Sequence, residues 1–338
     1  MQKKPVTLLC MICSVMLLAA CQGGPGSSPG QSSSPPGGQT PLVGISNAST
    51  SNTWGKAMWA MLKTELNRAK DENRIRDYIY ADAQDSDIKQ RSDIEGMLRS
   101  GIDILLVSPI NAYTLNGTIE KAYDSGIPVV VFDRKCTTSK YTAYVTTDDI
   151  KNGELCASRM VALLSAANGS PKGDIVILEG WFGSGTQIER QQGMENILKN
   201  FPEIKVLGRM DCRFQREEGR KVMQEFLTQF PKVDGIISQS GESLCGAIQA
   251  LDASGRQDCK LMAAMDAYNG VLKQIKTGRV GSTCLYPVSI GVEAYHAGMR
   301  IFSGETLDKE LRLPNTEITR DNIDQYVKME SPDDVWTY

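Results

Sequence analysis

The sequence contains a single histidine and lacks the short motifs that mark many enzymes. No HExxH or GxxxxGK pattern occurs, and the one GxSxG match, Gly26–Gly30, lies in a Gly-, Ser- and Pro-rich stretch rather than between a strand and a helix, so the motif-bearing serine hydrolases, zinc proteases and phosphate-loop enzymes are excluded. His296 stands in an apolar stretch with helical spacing, which favours a half-buried helix residue over a catalytic base. We therefore predict no catalytic residue and no cofactor, and a secreted enzyme remains only a distant alternative.

An excess of charge of either sign is also missing. The 37 Lys and Arg residues nearly balance the 40 Asp and Glu residues, which leaves a formal net charge of -3. No basic block interrupts the part of the chain that is expected to fold, so the sequence predicts no nucleic-acid partner. With 41% apolar and 23% charged residues, the composition is typical of a globular protein.

Cysteine pairs with metal-site spacing are missing from the body of the chain. Its six cysteines show neither CxxC nor CxxH spacing, so no metal site is predicted. They are Cys136, Cys156, Cys212, Cys245, Cys259 and Cys284. An even number in an exported chain allows several disulfide connectivities, whereas free thiols packed as small apolar groups are the alternative.

The chain begins with the features of an export signal. Lys3 and Lys4 precede the apolar run Val6–Ala20, which is shorter than the about 20 residues that span a bilayer. Small residues then lead into Cys21, as in a bacterial lipobox, so we predict a signal peptide over residues 1–20 and lipid attachment at Cys21. The Gly-, Ser- and Pro-rich residues 21–41 predict a flexible tether. An ordinary cleaved signal with a coincidental cysteine is the alternative.

Short apolar runs alternate with amphipathic stretches along the rest of the chain. Continuous apolar strands joined by helices predict parallel sheets covered on both faces. The predicted strands are Leu42–Ile45, Tyr78–Ala81, Ile102–Val107, Ile127–Phe132, Tyr141–Val145, Asp174–Leu178, Lys205–Gly208, Val233–Ile237, Lys260–Met265 and Ser282–Leu285. The predicted helices include Trp54–Lys70, Ser86–Arg99, Asn111–Ser125 and Ile150–Ala166. The fold class is therefore α/β, with two doubly wound parallel-sheet lobes.

Polar residues gather where the predicted strands end. Ser108, Asp133 with Arg134, Ser240 and Asp266 each follow an apolar strand. Ligands of doubly wound folds bind outside the carboxyl ends of the strands. A carboxylate accepts and a guanidinium donates, so such a pair suits neighbouring hydroxyl groups. Helix capping or a surface ion pair is the alternative at any single position.

Several segments in a fixed order resemble one protein family. They are Leu42-Val43-Gly44-Ile45-Ser46, Ala81-Asp82-Ala83-Gln84, Ile94–Asp103, Ser108-Pro109, Gly126–Arg134 and Gly246–Leu251. From about Leu42 to the C-terminus the chain is similar to the type I sugar-binding proteins of ABC importers, which include ribose- and galactofuranose-binding proteins. That family joins two lobes by a hinge.

The resemblance implies a site for one monosaccharide between the lobes. The implied binding residues are Asn52, Trp54, Ser108, Asp133, Arg134, Arg190, Phe214, Ser240 and Asp266. Trp54 and Phe214 would stack on the apolar face of a sugar, although ordinary core packing is the alternative for both rings. The chain departs from the family at Ser240-Gly241, where relatives commonly carry Asn-Asp, and this departure bears on which sugar fits.

The resemblance also implies three crossings between the lobes. They give a first lobe of residues 42–145 and 286–313 and a second lobe of residues 146–285 and 314–338. The implied partners are an ABC permease and its ATPase, and the membrane is expected to be reached through the lipid alone. We expect a monomer held outside the cytoplasm. A sensor that docks on a membrane receptor and a carbohydrate-active enzyme are the alternatives.

Overall fold

The computed structural model describes residues 40–336. The predicted signal peptide, Cys21 and nearly all of the predicted tether lie outside these residues. The first eight elements are β1 Leu42–Asn47, α1 Thr53–Asp71, β2 Asp77–Asp82, α2 Asp87–Arg99, β3 Ile104–Val107, α3 Asn116–Asp124, β4 Val129–Phe132 and β5 Ala143–Thr146.

The chain continues with the same alternation. The next elements are α4 Asp149–Asn168, β6 Gly173–Glu179, α5 Gly185–Leu198, β7 Ile204–Asp211, α6 Arg216–Gln229, β8 Gly235–Ser238, α7 Gly241–Ser254, β9 Leu261–Ala264 and α8 Asn269–Lys276. The last elements are β10 Thr283–Cys284, α9 Ile290–Phe302, β11 Glu310–Arg312, β12 Glu317–Ile318 and a 3-10 turn at Ile323–Gln325.

Two parallel sheets organise the described residues. The first has the order β2-β1-β3-β4-β5-β11, and the second has the order β7-β6-β8-β9. Strand β10 lies beside β9 through a parallel bridge between Ser282 and Ala263, and it pairs with β12 in antiparallel fashion. The predicted α/β architecture with two parallel sheets is therefore confirmed. We call each sheet with its covering helices a lobe.

Each sheet buries apolar side chains on both faces. In the first lobe, α1 and α9 cover one face through residues such as Met58 and Ile290, whereas α2 and α3 cover the other face. In the second lobe, α6, α7 and α8 lie on one face and α4 and α5 on the other. This two-sided burial explains why the strands read as unbroken apolar runs.

The chain passes back into the first lobe after β10. Helix α9 packs on the first sheet, and β11 extends that sheet beside β5. The chain then returns to β12, which pairs with β10 of the second lobe. The lobe boundaries predicted at residues 145/146, 285/286 and 313/314 stay a prediction.

The start of helix α3 differs from the sequence prediction. The helix begins at Asn116 rather than Asn111, because the Asn111 side chain accepts from the Tyr113 amide and the Ala112 amide donates to the carbonyl of Gly183 in the other lobe. The six cysteines named above are free thiols, five of them buried. Burial raises the pKa of Cys136 to about 11, as expected for a thiol that packs as an apolar group.

Helices α6 and α7 approach through glycine, which makes a packing prediction. A Cβ on Gly246 would lie 1.9 Å from the Arg216 carbonyl oxygen, so the helices would have to separate. We expect Gly246→Ala to lower the free energy of unfolding by about 1–3 kcal/mol, measured by urea denaturation. Gly117→Ala in α3 is the control, since nothing lies within 4 Å of its added Cβ, and it should stabilise by up to about 1 kcal/mol. Equal effects of the two substitutions would contradict the close approach.

Candidate ligand site between the lobes

The two lobes face each other across a small cavity. Every predicted binding residue except Ser108 lines it. These residues are Asn52, Trp54, Asp133, Arg134, Arg190, Phe214, Ser240 and Asp266. Four further residues, Thr186, Glu242, Tyr286 and Trp336, complete the wall and were missed from the sequence. Ligand sites commonly lie in such clefts between lobes.

Asp133 sits at the end of β4 and is held by two hydroxyl groups. Ser108 Oγ donates to its Oδ2 at 2.9 Å, and Tyr286 Oη donates to its Oδ1 at 2.9 Å. Ser108 therefore lies behind the cavity wall and orients Asp133. The backbone of Asp133 has a left-handed φ of 60°, which aspartate tolerates better than most residues.

Arg134 follows Asp133 and extends along the same side of the cavity. Its Nη1 donates to the carbonyl of Ile110, and its Nε lies 3.7 Å from Asp133 Oδ2. The guanidinium also lies 5.8 Å from the centre of the Phe214 ring. Within residues 40–336 its side chain donates only this hydrogen bond, so most of its five donors are available to a ligand.

Arg190 and two carboxylates form a buried ionic triad in the second lobe. Arg190 is 1% exposed; its Nε donates to Asp149 Oδ1 at 2.8 Å, and its terminal nitrogens donate to both oxygens of Asp266 at 2.7 and 3.1 Å. Arg190 also donates to the carbonyl of Gln239. Four of its five donors are then used, and one remains for a ligand.

Burial and charge oppose each other within this triad. Burial raises the pKa of the Asp149 and Asp266 carboxyls, and the Arg190 guanidinium opposes the shift. Burial alone would lower the pKa of Arg190, but the two carboxylates raise it well above its ordinary value. Arg190 is therefore a permanent cation, and its hydrogen bonds to Asp149 and Asp266 fix its position.

Aromatic rings supply the apolar part of the cavity wall. Trp54 meets Tyr286 edge to face at 5.5 Å, and Tyr286 lies under the Arg190 guanidinium at 4.8 Å. Phe214 has a left-handed φ of 57° and packs against Gly180, whose added Cβ would lie 2.0 Å from the ring. Strained, non-glycine backbone of this kind persists where the surrounding structure over-determines it.

Two predicted binding residues also cap helices that begin at the cavity. The Asn52 side chain accepts from the Gly55 amide at 2.7 Å and caps α1, while Ser240 Oγ accepts from the first amides of α7. The capping alternative raised for the strand-end residues therefore applies to Ser240, and the Asn52 oxygen caps a helix in the same way. The Nδ2 group of Asn52 and the hydroxyl hydrogen of Ser240 remain as donors.

The residues that sequence reasoning missed add acceptors and donors. Glu242 Oε2 accepts from the amide and the hydroxyl of Thr53 in the other lobe, and burial raises the pKa of this carboxyl. Thr186 Oγ1 is buried without a hydrogen-bond partner. Glu242 comes two residues after Ser240, so a wider window at that strand end would have found it.

Contacts between the lobes surround the cavity. Besides the Thr53–Glu242 bonds, Lys135 Nζ lies 2.9 Å from Glu189 Oε1, and the Ala112 amide donates to the Gly183 carbonyl at 3.1 Å. These bonds can form only while the lobes are together. The structure thus represents a closed cleft.

Clusters of metal-binding side chains are missing within residues 40–336. No group of three or more His, Cys, Asp or Glu side chains there could hold a metal ion. His296 lies on α9 beside Glu65 and is not part of the cavity wall. No helix in this part of the chain is long and apolar enough to cross a bilayer.

Comparisons with known proteins agree with this architecture. A family model described as a periplasmic binding protein domain matches residues 43–306. A ribose import binding protein of Bacillus subtilis is 29% identical over 237 residues, which cover 70% of this chain and 75% of that protein. A galactofuranose-binding protein of Escherichia coli is 24% identical over 284 residues, which cover 82% of this chain and 86% of that protein.

The fold is also similar to that of a solved structure. The fructose-binding periplasmic domain of a hybrid two-component system superposes with a TM-score of 0.74 at 28% identity. The superposition covers 84% of this chain and 92% of that domain.

Proposed function

This chain belongs to the periplasmic binding protein domain family, and from that premise we propose that it captures one monosaccharide outside the cytoplasm and delivers it to an ABC permease. The family match confirms the resemblance to type I sugar-binding proteins, which are binding proteins rather than enzymes. The ligand we propose is a single furanose or pyranose ring, with galactofuranose and ribose as the first sugars to test, since relatives carry these names.

One observation carries this proposal: hydrogen-bonding groups and aromatic rings converge on one small cavity. Arg134 and Arg190 retain donors, Thr186 Oγ1 has no partner, and Trp54 and Phe214 present ring surfaces. A sugar ring matches this arrangement, because it has a rim of hydroxyl groups and an apolar C–H face. Buried polar groups that lack a protein partner gain most from such a ligand.

The proposed mechanism is hinge closure. The cavity wall takes Asp133 and Arg134 from the first lobe and Arg190 and Asp266 from the second, so a ligand touches both sets only when the cleft is closed. The sugar then shifts the equilibrium between open and closed forms by its higher affinity for the closed form. A permease that recognises both lobes would bind the closed form selectively.

A thermal-shift screen tests the ligand class. We would measure the unfolding temperature with pentoses, hexoses, furanoses and polyols, because a bound ligand stabilises in proportion to the logarithm of its concentration over its dissociation constant. At least one sugar should raise the unfolding temperature in a saturable manner, and it should be recovered unchanged after incubation. Conversion of the sugar would favour the enzyme alternative, and no shift with any sugar would overturn the proposal.

The lipid anchor is a separate part of the proposal. Cys21 follows small residues of the predicted signal and precedes the Gly-, Ser- and Pro-rich segment, outside the described residues. We expect Cys21→Ser to release the protein from the membrane fraction without changing its unfolding temperature, because the residue precedes the folded body. Fractionation of cells by ultracentrifugation and blotting gives the measurement. Membrane retention equal to that of the unchanged protein would contradict the proposed lipid attachment at Cys21.

A sensor is the second candidate, and one observation favours it. The fructose-binding structural neighbour is a domain of a two-component system rather than a subunit of an importer. The same closed cleft would serve a receptor equally well. Uptake of the screened sugar by a strain that lacks this protein separates the two functions, because only an importer subunit is required for uptake.

A further inference from the structure

The end of the described chain forms a strap over the second lobe. We call residues 328–336 the C-terminal strap. Asn269, the first residue of α8, donates its side-chain amide to the carbonyls of Lys328 and Pro332 at 3.0 and 2.8 Å. The Gly270 amide donates to the Asp333 carbonyl at 3.0 Å. The strap thereby satisfies amide groups that the first turn of a helix leaves without partners.

The strap carries Trp336 across the mouth of the cleft. Its indole Nε1 donates to Thr53 Oγ1 at 2.8 Å, and the same Thr53 hydroxyl donates to Glu242 Oε2 at 2.8 Å. The Trp336 ring lies 5.4 Å from Tyr268 of the second lobe and packs against the apolar core of the first. Trp336 therefore joins the C-terminal strap, the first lobe and the second lobe at one point.

Trp336 separates two spaces. Trp336 lines the ligand cavity, and it also lines an open groove along α1. Besides Trp336 the groove is lined by Ala57, Ala60, Met61, Thr64, Glu65, Arg68 and Val292. Because α1 begins at the cavity and continues along the groove, the Trp336 ring stands between the two.

We propose that Trp336 is a specificity-determining residue that limits the ligand to one unsubstituted sugar ring. The inference rests on the proposed sugar-binding function and deepens it. A substituent that projects from the sugar toward α1 meets the indole ring, which is held by Thr53 and by the strap. Close-packed walls of this kind reject extra atoms, since overpacking is costly.

Calorimetry with defined probes tests the inference. The probes are D-ribose, D-galactose and D-fructose, each beside the methyl glycosides of both its anomers. For the unchanged protein, we expect the free form of the sugar that binds to be favoured over its glycosides at least tenfold. Trp336→Ala should bring at least one glycoside to within about threefold of the free sugar, and Trp336→Phe should keep the preference because it keeps a ring. Asp334→Ala, an exposed neighbour in the strap, is the matched control and should change neither affinity.

The outcomes separate this inference from the proposed function. Absence of binding by any free sugar in this set or in the thermal-shift screen overturns both. Binding of a free sugar with the same glycoside preference in Trp336→Ala supports the proposed function and overturns the role of Trp336. A measurement without ligand tests the contact between Trp336 and Thr53. The double variant Thr53→Val with Trp336→Phe should lower the unfolding temperature by less than the sum of the two single variants, because each substitution removes the same hydrogen bond. Additive losses would overturn the hydrogen bond that places the Trp336 ring beside Thr53.

Discussion

Asp133→Ala is expected to abolish detectable sugar binding while the fold remains intact. The Asp133 carboxylate is the acceptor for Ser108 Oγ and Tyr286 Oη, both at 2.9 Å, and it lines the cavity. Its removal takes this acceptor from Ser108 Oγ and from the hydroxyls of the sugar in a closed cleft, whereas Tyr286 Oη keeps the Asp133 carbonyl at 3.2 Å. Such a loss costs roughly 2–5 kcal/mol, which is about 30-fold to several thousand-fold in affinity.

Companion variants separate the carboxylate from other effects. Arg134→Ala should cause a loss of the same order, since it removes a charged donor from the same wall. Trp54→Ala should weaken binding less, by roughly 1–3 kcal/mol, because it removes mainly apolar contact and water can enter the gap. Asp124→Ala, which removes an exposed partner of Lys140, is the control.

Calorimetry with the best sugar from the screen gives the ranking, and circular dichroism reports on the fold. Asp133→Asn adds a further check, because asparagine tolerates the left-handed φ of 60° and keeps one acceptor oxygen. It should bind more weakly than the unchanged protein and more tightly than Asp133→Ala. Affinity near that of the unchanged protein in Asp133→Ala would remove the carboxylate from the site.

The sheets could be predicted because their strands are buried on both faces. Val129, Val130, Val131 and Phe132 are each fully buried, and the run reads as strand without any reference to a partner. The helices on either side carry their apolar residues at helical spacing, so element type followed from local pattern. The start of α3 could not be predicted from local pattern, because contacts of Ala112 with the other lobe compete with the first helical turn.

The candidate site was predictable where its residues follow strands. Asp133 follows a strand of the first sheet, and Ser240 and Asp266 follow strands of the second, at the carboxyl ends where doubly wound folds bind ligands. Tyr286 reaches Asp133 from 153 positions along the chain, in the passage between β10 and α9, and no local pattern marks that meeting. Trp336 is 283 positions from Thr53 and arrives on a polar strap that is held by backbone bonds to α8.

Ser108 shows a finer limit of the same reasoning. Its place after β3, which pairs with β4, lies beside Asp133, but the sequence does not say which of the two polar groups lines the cavity. In the structure, Asp133 lines the cavity and Ser108 is fully buried behind its carboxylate. A strand-end pattern therefore selects the neighbourhood, and side-chain geometry assigns the roles within it.

Arg190→Met should produce the largest loss of stability, about 3–5 kcal/mol in the free energy of unfolding at pH 8. The guanidinium neutralises Asp149 and Asp266, and the Asp149 and Arg190 side chains are almost completely buried. Removing one partner of a buried ion pair leaves charge in a medium that solvates it poorly. The exposed pair of Arg279 and Asp252 provides the control, because Arg279→Met should cost less than about 1 kcal/mol.

The pH dependence of the Arg190→Met loss identifies its cause. Without the guanidinium, the pKa of the Asp149 and Asp266 carboxyls rises further above the ordinary value of 3.8, since burial already raises it and Arg190 alone opposed that shift. A group whose pKa is raised in the folded state contributes stability at low pH, and that contribution is lost as the pH rises through the folded-state pKa. Urea denaturation should therefore show a smaller difference between variant and unchanged protein at pH 5 than at pH 8. A difference that stays constant with pH would mean that Arg190 stabilises the fold by packing rather than by neutralising the two carboxylates.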